Sequence, residues 1–149
     1  MKKILFFFLV LVFSFSLVAC EDTIKDYAVT NQRPHNTCIP NNTYGSDIYT
    51  ADLPSLKKMS GMVYRGGNFQ NLKELQSVAQ AGAKVITDIY GKKAFDGFEP
   101  IVVTENERAN CWIIHGTPKD NLNTGLSFVA IKKDTGEVVM VLKNPDKIG

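Results

Sequence analysis

The chain predicts an α+β fold: one long amphipathic helix packed on a curved antiparallel sheet of about four strands. Three observations carry this. Apolar residues recur at three- and four-residue steps from Leu72 to Ile89, the period of a helix with one buried face. Four β-branched runs follow, "EPIVVTE", "CWIIHG", "GLSFVAIKK" and "EVVMVLK", each bounded by turn residues. The connection between the last two, "KDTGE", is too short for anything but a hairpin and places Gly136 where a bulged turn takes positive φ. Short connections favour antiparallel neighbours, so the strands form a meander with the helix on the inner face of the sheet.

The elements in order begin with a leader. Lys2 and Lys3 precede the uncharged stretch "ILFFFLVLVFSFSLVA", and small Ala19 stands just before Cys20, the pattern of a secretory signal over 1–19. The run is too short for a bilayer-spanning helix, which takes roughly 20 apolar residues, and Glu21 and Asp22 follow at once. Leu17, Val18, Ala19 and Cys20 resemble the lipobox of bacterial lipoproteins. That resemblance implies cleavage before Cys20, acylation of its thiol with fatty acid such as palmitate, and a membrane anchor at the bacterial cell envelope, on the periplasmic side or the outer surface. The plain alternative is an unlipidated secretory signal that leaves Cys20 as a spare thiol.

Charge and cysteine usage narrow the class. The full chain holds 17 Lys and Arg against 15 Asp and Glu. Losing Lys2 and Lys3 with the leader leaves a balanced surface, with no electrostatic footprint for nucleic acid. With Cys20 consumed by lipid, Cys38 and Cys111 are an even pair in a compartment where disulfides persist. A bridge between them and two unpaired thiols both stay open, because spacing does not fix the Cα separation.

Residues 20–67 read as a tether followed by irregular chain. "NQRPHNTCIPNNTYGSD" is dense in turn formers, while "SDIYTADLPSLKKM" and "GMVYRGG" are candidates for short edge elements. The core domain is then 68–149. Asn71 with Glu74 three residues on reads as a capping box at the helix start. Leu72, Leu75, Ala79, Gly82, Ile86 and Ile89 form the apolar stripe to about Tyr90, and Gly91 ends the helix. Small Ala79, Gly82 and Ala83 let a sheet approach closely. In the second strand Trp112 and Ile114 share a side and pack on the helix, and Gly116 ends that strand.

From about Leu75 to Val141 the chain resembles the NTF2-fold immunity proteins of bacterial polymorphic toxin systems. The matching features are "YGKK" from Tyr90, Trp112 with Gly116 in a W-x-x-x-G spacing, the glycine-led strand at Gly125, and the Lys-Asp-Thr-Gly-Glu-Val run from Lys133 to Val138. Where the family tends to have two glycines before the third strand, this chain has Thr124 and Gly125. The resemblance implies a cone-like fold, no catalysis, no cofactor, and a protein partner: a cognate toxin domain that is bound and neutralised.

Catalytic and metal readings are weak. His35, Cys38, Cys111 and His115 look like two ligand pairs. On one strand, however, Cys111 and His115 lie about 13 Å apart at roughly 3.3 Å per residue, too far for one zinc ion, whose ligands sit about 2.0 to 2.3 Å from the metal. Asp88, Asp96 and Glu99 are the carboxylates that an NTF2-like enzyme would converge on a cavity. A solvated surface role is the commoner explanation for such groups. Two other classes stay in play: a PepSY-like periplasmic inhibitory or regulatory module, which shares the helix, strand and "D-x-G-x-V" hairpin order, and an NTF2-like small-ligand binder or enzyme. For partner contacts the polar loop 116–125 offers Asp120, Asn121 and Asn123.

Overall fold

A computed structural model describes residues 25–33, 47–91, 95, 97–117 and 126–143. Its elements are β1 (Val29–Thr30), α1 (Leu53–Met59), α2 (Leu75–Tyr90), β2 (Ile101–Asn106), β3 (Cys111–His115), β4 (Ser127–Lys132) and β5 (Val138–Lys143). Strands β2 to β5 are the expected antiparallel meander. A fifth strand, β1, joins its edge in parallel, pairing Val29 with Ile101 and Thr30 with Val102. The sheet is therefore mixed and five-stranded, not purely antiparallel with four strands. Two residues are too few to show a period, so β1 is specified by its neighbour more than by its own sequence.

Turn chemistry sets the meander. Glu107–Asn110 closes β2 onto β3, with Asn110 at φ 52° donating from its N–H to the Glu107 carbonyl at 3.2 Å. Gly136 closes β4 onto β5 at φ 68°. A side chain there would also run into the backbone of Phe69, whose N–H donates to the Gly136 carbonyl at 3.0 Å. Both the backbone angle and the close approach require glycine.

The long helix starts later than the capping box suggests. Asn71 takes left-handed backbone at φ 59°, a conformation its short polar side chain tolerates, so it turns the chain and does not cap it. Glu74 is the N-cap residue, without a side-chain cap bond, and the first helical residue is Leu75. The end is as expected, with the Gly91 N–H donating to the Thr87 carbonyl. Its buried face is Val78, Ala79, Ala81, Gly82, Ala83, Val85 and Ile86, wider than the expected stripe. Leu75, at the margin, is 37% exposed.

Side chains alternate across the sheet and fill two separate cores. Ile101, Val103, Trp112, Ile114, Val129 and Ile131 face α2, which places Trp112 and Ile114 on the helix as expected. Cys111, Ile113, Phe128 and Ala130 face the other way, onto Ile48, Tyr49, Ala51, Leu56 and Met59. The sheet is thus covered on both sides, and every residue of β3 is buried. Residues 47–59, read from sequence as irregular chain outside the core domain, are the second covering layer. Helix α1 within it begins at Asp52, whose carboxylate accepts from the Ser55 N–H at 2.9 Å, with Pro54 in the first turn.

Gly82 shows how tightly α2 is seated. A Cβ at this position would stand 2.5 Å from Ile114 Cγ2. Alanine gains about 1 kcal/mol of helix propensity over glycine, but forcing the core apart costs about 1 to 3 kcal/mol. Packing wins. Gly82→Ala is expected to lower stability by about 1 kcal/mol and the melting temperature by about 3 to 5 °C. A rise in melting temperature would show that the interface has slack.

Candidate functional site

Of the residues singled out from sequence, Cys20, His35, Cys38, Asp96, Asp120, Asn121, Asn123 and Gly125 lie outside the described residues, as does the leader. The others are placed as follows. Cys111 is a buried free thiol whose Sγ donates to the Ala109 carbonyl at 3.3 Å. Burial raises its pKa to about 11, which keeps it protonated and unreactive at neutral pH. Cys111 and His115 occupy opposite ends of β3 on the same face, as their spacing requires. Asp88 is exposed and accepts from Tyr64 Oη at 2.7 Å and from Lys84 Nζ at 2.9 Å. Desolvation acts to raise its pKa, but these two hydrogen bonds and the Lys84 charge outweigh it and lower the pKa. Glu99 pairs with Lys25 at 3.2 Å. Tyr90 and Gly91 end α2, Gly116 directly follows β3, and Gly136 makes the last turn. Among the described residues no three His, Cys, Asp or Glu side chains gather into a possible metal site. The space between α2 and the sheet is filled by apolar side chains.

Two polar groups deep in the second layer were not anticipated. His115 is completely buried, with Nδ1 at 2.7 Å from the Gly116 carbonyl and Nε2 at 2.7 Å from Tyr49 Oη. A carbonyl only accepts, so Nδ1 carries the proton and Nε2 accepts from the tyrosine. Burial lowers the His115 pKa to about 4, the Gly116 bond opposing this and the Arg33 charge adding to it. Asn106, also buried, donates to the Ile48 and Ala51 carbonyls, both at 2.9 Å, and accepts from the Ala109 N–H at 3.0 Å. Both side chains fasten residues 47–51 to the sheet. All their polar atoms are engaged, so they read as structure and not as chemistry.

Two hollows of similar size lie among the described residues. One, about 420 Å³, is lined by Lys57, Met62, Val63, Glu137 and Val139 among others, and Val63 there is 82% exposed. The other, about 400 Å³, lies at the edge of β2 and is lined by Asn31, Arg33, Leu75, Val103, Thr104, Glu105 and Trp112. Of the two, only this second hollow has lining residues with a buried polar atom that lacks a partner among the described residues, Trp112 Nε1 and Thr104 Oγ1, one on each face of the sheet. Desolvating such a group unpaired costs about 1 to 3 kcal/mol. Arg33 sits at its rim with the guanidinium 3.8 Å from the centre of the Tyr49 ring. The sequence marks none of this, because the groove joins three distant segments.

Residues 78–144 match the family model described as NTF2 fold immunity protein. The match runs through most of α2 and the whole meander, the part of the chain whose motifs carry the resemblance. It leaves out β1 and the 47–59 layer. No curated protein and no solved structure matches the chain.

Proposed function

We propose that this protein, whose residues 78–144 match the NTF2 fold immunity protein model, binds a cognate bacterial toxin domain and neutralises it without catalysis. The observation that carries the reading is the family match over residues 78–144. It is supported by the way the domain uses its reactive side chains: Cys111, His115 and Asp88 are all occupied in holding the fold. A protein of this kind acts through shape and surface chemistry, not turnover.

The residues around Cys20 support a place of action. The sequence "LVAC" supports lipid on Cys20, which would hold the domain at the cell envelope, where a toxin arrives from outside.

The test is co-expression with the toxin domain encoded beside this gene. The wild-type chain is expected to restore growth and to form a stoichiometric complex with that domain in gel filtration. Growth arrest despite full expression, with no complex, would reject the immunity reading. Mass spectrometry of the mature N-terminus checks the anchor separately: acylated Cys20 is expected in the wild type, and Cys20→Ser is expected to release a soluble protein.

A further inference from the structure

The geometry points to the open edge of β2 as the toxin-docking site: an extended segment of the toxin, carrying a carboxylate or amide side chain, adds to the sheet beside Val103–Glu105. This rests on the immunity reading and says where on the surface it is carried out.

The first argument is backbone accounting. The Ile101 N–H donates to the Ala28 carbonyl on the β1 side at 2.7 Å. Backbone direction alternates along a strand, so Val103 and Glu105 also present their N–H and C=O groups to that side; the Thr30–Val102 pairing takes up the Val103 N–H, which leaves the Val103 C=O and both backbone groups of Glu105 beyond it. Strand β1 stops at Thr30, paired with Val102, whereas β2 continues to Asn106. Past Thr30 no strand pairs with β2 on this side among the described residues, and Asn31 and Arg33 leave a hollow beside it. A strand edge of this kind is a template for an added strand, main-chain bonds supplying affinity and side-chain pockets supplying specificity.

The second argument is the chemistry of the groove on that edge. Trp112 and Thr104 are each 8% exposed, and Trp112 Nε1 and Thr104 Oγ1 are buried without a partner. An indole N–H only donates. Arg33 adds a cation at the rim with no ion-pair partner among the described residues, while the one carboxylate of the groove, Glu105, is taken by Lys133 at 2.8 Å. With the Arg33 cation at the rim and an unpaired indole N–H on a lining residue, the groove suits a partner that brings an acceptor. Partly exposed Leu75 supplies an apolar shelf beside them. The hollow lined by Val63 has neither an unpaired buried group nor an unsatisfied charge, which is why the edge of β2 is preferred.

The probe is the toxin domain encoded beside this gene, titrated into the mature chain. Glu105→Pro deletes the edge-facing N–H together with the carboxylate that pairs with Lys133, at a position where proline is tolerated on an outer strand, and is expected to weaken binding at least tenfold. Glu105→Ala, which keeps the N–H, is expected to stay within about twofold of wild type. Leu75→Lys and Arg33→Glu change exposed side chains, the second giving up the stacking on the Tyr49 ring, and each is expected to weaken binding at least fivefold; they keep the test decisive if the proline variant unfolds. The chain has a single tryptophan, so its indole ¹H–¹⁵N signal reports on this groove alone and is expected to shift on adding unlabelled toxin domain. Binding that is intact in the wild type but indifferent to all of these variants, with an unmoved indole signal, overturns the edge site and leaves the immunity reading standing. The same holds if only replacing Asp120, Asn121 and Asn123 by alanine reduces affinity, which would place the contact on the β3–β4 loop. Absence of any wild-type complex rejects the immunity reading and the edge site with it.

Discussion

Replacing Asn106 by leucine is expected to destabilise the domain by about 3 to 5 kcal/mol, a large share of the stability of a domain this size. The side chain satisfies three buried backbone groups at once, the carbonyls of Ile48 and Ala51 and the N–H of Ala109. Leucine has the same branched shape and is larger, so the loss comes from polar groups left unpaired, each costing about 1 to 3 kcal/mol, and from crowding, not from a cavity. The two carbonyls belong to the segment that covers the second face of the sheet, so that layer is expected to loosen first. Urea unfolding gives the total. Hydrogen exchange gives the order, with amides of 48–59 expected to lose protection before those of α2. Asn106→Asp separates the contributions: it keeps the acceptor for Ala109 but turns a carboxylate towards two carbonyls, and is expected to be at least as damaging. A loss under about 1 kcal/mol in Asn106→Leu would show that the segment is held by Leu56 and Met59 instead.

What was legible in the sequence follows from how local each signal is. The meander could be read because each strand carries its own β-branched run and each turn its own glycine or asparagine, all within a few residues of the pairing they specify. Helix α2 could be read from its period, although its start was misplaced: Asn71 and Glu74 have the right spacing for a capping box, and the same asparagine serves equally well as a left-handed turn residue at φ 59°. Helix α1 has a local signal of its own, since Asp52 followed by Pro54 and Ser55 is a helix-start pattern. Its seven residues sit in a turn-rich stretch that outweighed it.

The second covering layer was not legible, because what holds it acts across the chain. Asn106 reaches back 58 and 55 residues to its acceptors, and His115 is 66 residues from Tyr49. No local pattern distinguishes such a histidine from a ligand or a catalytic base. The groove on β2 was hidden for the same reason: Arg33, Leu75, Thr104 and Trp112 meet only after β1 has docked and α2 has packed. The reading of Trp112 as core was right for most of the side chain, which is buried against α2, yet its one polar atom is what singles out the groove.

The second large effect is on pH. His115 has a pKa of about 4 in the folded chain against about 6.5 for an unperturbed imidazole. Between those values the unfolded chain binds a proton that the native chain does not, so stability falls as pH falls. The contribution is fully present above about pH 6.5, erodes as the pH drops, and is gone below about pH 4, amounting to about 3 kcal/mol over the window. Mild acid is thus expected to lower the urea midpoint well before the carboxylates are protonated. Tyr49 sharpens the test. Its hydroxyl donates to Nε2 and its own pKa is raised to about 12 by burial, so it remains a neutral donor throughout. Tyr49→Phe is expected to cost about 1 to 3 kcal/mol at neutral pH, by leaving the Nε2 lone pair unpaired. His115→Gln, which cannot titrate, is expected to be less stable than wild type at pH 7.5 but to show a flatter stability profile between pH 6.5 and 4.5. If the slope of wild type and His115→Gln over that interval were the same, the pH sensitivity would have to originate in groups other than this buried imidazole.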